Sequence, residues 1–258
     1  MIAASIPNET KGRFAMESSL LSQKQIPPRE RLIFALDVPS GDEARKLVDL
    51  LGDTVHFYKL GLELFMAGGY FRLIDDLVKE GKQVFVDLKF FDVPQTVESA
   101  VRQLSKHDVS FASVHGNENI LKAACAAKNG VKVLAVTVLT SLDQSDMDDL
   151  GFQCSPKELV LSRARRALEA GCDGVISSGL EAADLRREFG HSFVIVAPGI
   201  RPVANVELDD QKRTVDVEEA FLSGADYIVV GRPIKNAVDP RQSAEQIQAR
   251  IAKLFSNR

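Results

Sequence analysis

Residues 84–94 read V-F-V-D-L-K-F-F-D-V-P. Val84, Phe85, Val86 and Leu88 have the β-branched, aromatic and aliphatic character of a buried strand. The run nevertheless takes on Asp87, Lys89 and Asp92 before it reaches Pro94, a residue suited to the first turn of a helix. A buried strand that turns polar at its C-terminal end and passes into a helix is one unit of an α/β fold. The number of such units decides between a closed barrel and an open sheet.

The unit recurs from Arg31 onward. Apolar runs lie at 32–37 (LIFALD), 55–61 (VHFYKLG), 84–89 (VFVDLK), 111–116 (FASVHG), 131–140 (VKVLAVTVLT), 173–178 (DGVISS), 193–199 (FVIVAPG) and 227–231 (YIVVG). Between and after them, helical patterning covers 41–51, 70–80, 94–106, 117–128, 156–170, 179–189, 215–223 and 240–254. Ser40 is placed as an N-cap, Pro94 and Pro156 as first-turn prolines, and Gly81 and Gly171 as helix ends. Eight strands alternating with eight helices predict an α/β protein, a (β/α)8 TIM barrel forming a single domain over 31–258. The competing arrangement is an open doubly wound sheet, but the G-x-G-x-x-G turn of a dinucleotide fold does not follow the first strand.

Composition sets bounds on function. The chain has 258 residues, 45% hydrophobic and 26% charged, with a formal net charge of -4. No basic patch suggests a nucleic-acid partner. No apolar run approaches the ~20 residues that span a bilayer. Cys125, Cys154 and Cys172 form no CxxC pair and read as free thiols of a reducing, cytoplasmic compartment. Residues 1–30 are polar, close on Pro27-Pro28 and lack the pattern of a secretory signal, so they read as a flexible N-terminal extension.

A barrel concentrates its chemistry at the C-terminal ends of its strands. There the sequence places Asp37, Lys59, Asp87, Lys89, His115, Thr137, Thr140, Ser177, Arg201 and Arg232. The two-residue period of a strand turns Asp87 and Lys89 toward the same face, into the mouth. With Asp37 and Lys59 from the preceding strands and Asp92 from the following loop, the signs alternate. Carboxylates beside Lys89 favour its ammonium form, so it reads as a proton donor and charge stabiliser rather than a Schiff-base nucleophile. A purely structural ion-pair layer is the competing reading. Strands 7 and 8 end in A-P-G-I-R-P (197–202) and V-V-G-R-P-I (229–234), where barrels often bind phosphate, with Arg232 as a forked donor. His115 has no second metal-spaced ligand and reads as a core histidine, and no metal site is expected.

Assembled, these motifs resemble the orotidine 5'-monophosphate decarboxylases, in particular their bacterial branch. The carriers are FALD at Asp37, YKLGLELF at Lys59, VDLKFFDVPQT over 86–96, AVTVLTS at Thr140, APGIRP at Arg201, DDQKR at Gln211 and IVVGRP at Gly231-Arg232. The resemblance runs from about Arg31 to the C-terminus. It implies a homodimeric barrel with shared active sites and no metal or organic cofactor, converting orotidine 5'-monophosphate to UMP and CO2 in pyrimidine biosynthesis. It further implies a catalytic array of Lys59, Asp87 and Lys89, completed by Asp92 from the partner chain. Asp37 and Lys59 would hold the ribose, with Thr96 reaching across from the partner. Asp87 would lie beside the departing carboxylate and Thr140 at the pyrimidine. Arg201, Gln211, Gly231 and Arg232 would surround the 5'-phosphate. Gln95 departs from the family's usual Asn. Two other readings stay open: a Mg2+-dependent sugar-phosphate decarboxylase or aldolase, which shares D-x-K-x-x-D, and a non-catalytic phosphate-ligand barrel.

Overall fold

In the computed structural model, residues 20–201 and 213–256 are described. Eight strands, β1 (Leu32–Ala35), β2 (Phe57–Leu60), β3 (Gln83–Phe90), β4 (Phe111–Val114), β5 (Lys132–Val136), β6 (Gly174–Ile176), β7 (Val194–Ala197) and β8 (Tyr227–Val230), close into a parallel barrel in sequence order. Closure is made by β8 against β1, with Leu32 opposite Ile228 and Phe34 opposite Val230. The expected (β/α)8 barrel is therefore the observed one.

Alternation along each strand sorts the side chains into two cores. Ile33, Phe57, Phe85, Phe111, Leu134, Val196, Tyr227 and Val229 point inward and fill the barrel. Phe57, Phe111 and Tyr227 meet as an aromatic layer, with ring centroids 5.0, 5.8 and 5.2 Å apart. Leu32, Phe34, Tyr58, Val84, Val86 and Ala112 point outward against the helices. The interior is thus filled by side chains, which leaves only its ends for a site.

The helices are α1 (Gly41–Leu51), α2 (Leu62–Ala67), α3 (Tyr70–Lys79), α4 (Pro94–Leu104), α5 (Glu118–Ala127), α6 (Gln144–Asp149), α7 (Pro156–Glu169), α8 (Gly179–Phe189), α9 (Val217–Leu222), α10 (Arg232–Lys235) and α11 (Pro240–Phe255). Ser40 accepts from the Glu43 N–H as the N-cap of α1. Pro94 and Pro156 sit in the first turns of their helices. The short helices α2, α6 and α10 were not expected from periodicity.

The expected extension over 1–30 is corrected in its last third. Residues 1–19 lie outside the described residues, but Leu21 and Ser22 are buried. Ser22 Oγ donates to Asp226 Oδ1, and Lys24 Nζ lies 3.2 Å from Asp226 Oδ2. Asp226, wholly buried at the start of β8, also pairs with Arg186 at 2.7 Å and accepts from the Ile195 N–H. Arg31 donates to the Asp226 and Lys24 carbonyls and lies 3.8 Å over the Phe255 ring. The segment before β1 therefore seals the N-terminal end of the barrel through ionic bonds, which hydrophobic periodicity cannot register.

Candidate active site

The inward positions of the strands become charged as they reach the C-terminal mouth. On β2 the inward series is Phe57 then Lys59; on β3 it is Phe85, then Asp87. Lys59 Nζ lies 3.2 Å from Asp37 Oδ1 and 3.4 Å from Asp87 Oδ2. Lys89 Nζ lies 3.0 Å from Asp87 Oδ1. The result is a continuous alternation of Asp37, just past β1, with Lys59 on β2 and Asp87 and Lys89 on β3.

Burial and pairing compete at both central groups. Burial pushes the Lys59 ammonium down, but Asp87 and Asp37 together leave it above its ordinary value. Burial pushes the Asp87 carboxyl up, but Lys59, Lys89 and a Ser113 hydrogen bond leave it below its ordinary value. Each charge is held ionised by its neighbours, as a buried charge requires.

Lys89 does not reach the mouth by simple alternation. Val86 pairs with Ala112 and Phe90 with Val114, so four steps on β3 oppose two on β4. Within this bulge Lys89 takes φ 49°, a left-handed conformation that costs a non-glycine residue about 1–2 kcal/mol. Ser113, fully buried on β4, holds it: Ser113 Oγ accepts from the Lys89 N–H at 2.8 Å and donates to Asp87 Oδ1 at 2.8 Å. Ser113 was missed in the sequence, though a lone hydroxyl at an inward position of F-A-S-V was a usable signal.

These groups open into a pocket of about 310 Å³ that also includes Val136, Thr140, Ser141, Ile176, Arg201, Gly231, Arg232 and Lys235. Five cationic side chains and two carboxylates line it. The pocket thus gathers Asp37, Lys59, Asp87, Lys89, Thr140, Arg201, Gly231 and Arg232, as expected for one mouth. Gln211 lies outside the described residues. Asp92 and Thr96 are exposed and do not line this pocket. Asp92 Oδ1 instead accepts from the Val93 N–H, between the exposed apolar side chains of Phe91 and Val93.

Three other expected mouth residues are also placed elsewhere. Thr137 Oγ1 turns to the Ile176 carbonyl at 2.9 Å. Ser177 is fully buried. His115 lies in a neighbouring groove with Phe91, Asn117 and Arg163, its ring 5.4 Å from that of Phe91, because the chain leaves β4 at Val114. Gly61, by contrast, belongs to the site although it was not anticipated. A Cβ there would meet Asp37 Oδ1 at 3.1 Å and Lys59 Nζ at 3.3 Å.

Among the described residues, no group of three or more His, Cys, Asp or Glu side chains could hold a metal ion. No helix there is long and apolar enough to cross a membrane.

A closed parallel barrel whose C-terminal mouth pairs an alternating ionic array with an arginine-lined end defines a barrel enzyme acting on an anionic ligand. The sequence model of the orotidine 5'-phosphate decarboxylase / HUMPS family matches residues 30–247, and the chain belongs to that family. It is 60% identical over 238 residues to the orotidine 5'-phosphate decarboxylase of Methylococcus capsulatus, covering 92% of this chain and 98% of the relative. It is 50% identical over 242 residues to that of Stenotrophomonas maltophilia, covering 92% and 100%. Among solved structures, the orotidine 5'-phosphate decarboxylase of Lactobacillus acidophilus superposes with a TM-score of 0.75 at 35% identity, covering 86% of this chain and 99% of the other.

Proposed function

We infer that the protein decarboxylates orotidine 5'-monophosphate to UMP and CO2 in pyrimidine biosynthesis, with Lys89 as the group that stabilises and protonates C6. The observation that carries this is the Asp37-Lys59-Asp87-Lys89 array opening into the same pocket as Arg201 and Arg232. The pocket's excess of cations suits a substrate bearing a carboxylate and a 5'-phosphate, the latter contributing about -2 near neutral pH.

The chemistry follows from where charge develops. Breaking the C6–carboxylate bond releases CO2 and leaves an electron pair in the ring plane, orthogonal to the π system. An ammonium fixed beside C6 stabilises that pair and then transfers its proton to it. Asp87 and Ser113 hold Lys89 in place beforehand, so little reorganisation is needed during the reaction. Asp87 would adjoin the departing carboxylate. Asp37 and Lys59 would hold the ribose, Thr140 would meet the pyrimidine, and Arg201, Gln211, Gly231 and Arg232 would take the phosphate. Binding energy from that distant phosphate helps orient the base.

Asp92 and Thr96 are assigned to the site of a second copy in a homodimer with shared active sites. This reading is supported by their absence from their own chain's pocket and by the exposed Phe91 and Val93 on the same segment. A cytoplasmic location and independence of metal and organic cofactors complete the proposal.

One assay tests the reaction: loss of orotidine 5'-monophosphate absorbance in the presence of EDTA. Wild type is expected to turn over; a Mg2+-dependent sugar-phosphate lyase would not. Lys89→Ala should lose at least about a thousandfold in kcat, in the range of removing a preorganised electrostatic group, while still binding UMP. Near-normal turnover by Lys89→Ala would refute its role. Mixing Lys89→Ala with Asp92→Asn chains should restore one intact site per mixed dimer; no recovery after demonstrated subunit exchange would refute sharing.

A further inference from the structure

We propose that Lys235 is a positioning residue that ties Asp37 to the phosphate end of the site, an inference that rests on the decarboxylase reading. Strand β1 ends at Ala35, and its last link to β2 is the Leu36 N–H donating to the Lys59 carbonyl at 2.9 Å. Asp37 therefore stands beyond the barrel ladder. Its main-chain carbonyl is instead held by Lys235 Nζ at 2.7 Å. Its carboxylate, about half exposed, engages Lys59. Without Lys235, the backbone that aims this carboxylate would lose its anchor on the α10 side.

Lys235 is the last residue of α10, and Arg232 is the first. Both line the pocket with Gly231. Three residues apart on a helical turn, they share a face. An ammonium on a flexible stem can reach the Asp37 carbonyl from the α10 turn that also carries Arg232. Lys235 is thereby joined to the array through the Asp37 main chain, while the Asp37 carboxylate makes the link to Lys59. A phosphate drawn onto the α10 turn would be linked mechanically to the ribose-holding carboxylate and, through Lys59, to the reacting centre.

The test is a double-mutant cycle. Lys235→Met and Lys235→Arg are made alone and with Asp37→Ala. The readouts are kcat and KM for orotidine 5'-monophosphate, UMP affinity by calorimetry, and the thermal midpoint. Lys235→Met should raise KM and weaken UMP binding roughly tenfold, the size of one good hydrogen bond, with the midpoint nearly unmoved. Lys235→Arg should recover most of that loss. In the Asp37→Ala background, Lys235→Met should cost less than about threefold, because the carboxylate it positions is gone. A full tenfold effect in that background, or no effect in wild type that is itself active, overturns the inference. A wild type that neither turns over nor binds UMP overturns the decarboxylase reading and this inference with it.

Discussion

Replacing Ser113 with Ala removes two hydrogen bonds at once and leaves the apolar core nearly untouched. Ser113 Oγ sits between the Lys89 N–H and Asp87 Oδ1, 2.8 Å from each, with no exposed surface. A buried N–H left without a partner costs about 1–3 kcal/mol, and a hydrogen bond to a carboxylate contributes about 1.5–3. These overlap, since the bulge can relax, so a total of about 2–4 kcal/mol is expected. For a chain of this size that lowers the thermal midpoint by roughly 5–15 °C. Relaxation also lets Lys89 leave its left-handed conformation, and a displacement approaching 1 Å costs on the order of a hundredfold in rate. The acid limb should move as well. Asp87 is held below its ordinary 3.8 partly by Ser113, so its stabilisation is present above that value and is lost as pH falls through the folded one. Without Ser113 the folded value rises toward 3.8, so less stability is lost in acid and the loss is complete at a higher pH. Scanning calorimetry against pH and the decarboxylation assay measure both effects. Turnover within twofold of wild type with an unchanged midpoint would show that Ser113 does not hold the array.

Two further outcomes follow from the geometry. Gly61 has extended backbone (φ -108°), so Gly61→Ala should fold normally, yet its methyl would press Asp37 and Lys59 apart by a few tenths of an ångström; about a threefold to tenfold fall in kcat/KM is expected, and an unchanged value would contradict the placement. His115 is held below its ordinary 6.5 by burial, then by Arg163 and Lys89. Between its folded value and 6.5 the unfolded chain binds more protons, so stability should decline as pH falls through that window. His115→Gln should flatten the decline in a pH series of thermal midpoints, leaving the share of His56, which burial also lowers.

What the sequence disclosed tracks what repeats in it. Apolar runs recur, so all eight strands and their order could be read, and β3 was located within a residue of Gln83–Phe90. Alternation correctly turned Asp87 inward, but it gave the right neighbour for Lys89 by the wrong route. D-L-K-F-F contains no glycine or asparagine to announce a positive φ, and the bulge is imposed by pairing with β4. Ser113, Gly61 and Lys235 act through what lies opposite them on other elements, which no spacing along the chain encodes. His115 illustrates the opposite error. Reading V-H-G as a continuing strand placed it in the mouth, whereas β4 ends at Val114 and the ring turns into a separate groove. The ionic seal by Ser22, Lys24 and Arg31 was hidden for the same reason: its partners, Asp226 and Arg186, lie far along the chain.

The surplus of cations lining the mouth has a consequence for encounter as well as for binding. The chain as a whole carries a formal charge of -4, so the pocket is a positive spot set into a negative body. Such a contrast focuses field lines through one opening and steers a small anion toward it, while copies of the protein repel one another at longer range. The capture rate would then be a property of charge distribution rather than of pocket fit. It would decline with added salt as the Debye length shrinks from about 30 Å at 0.01 M to about 8 Å at physiological ionic strength.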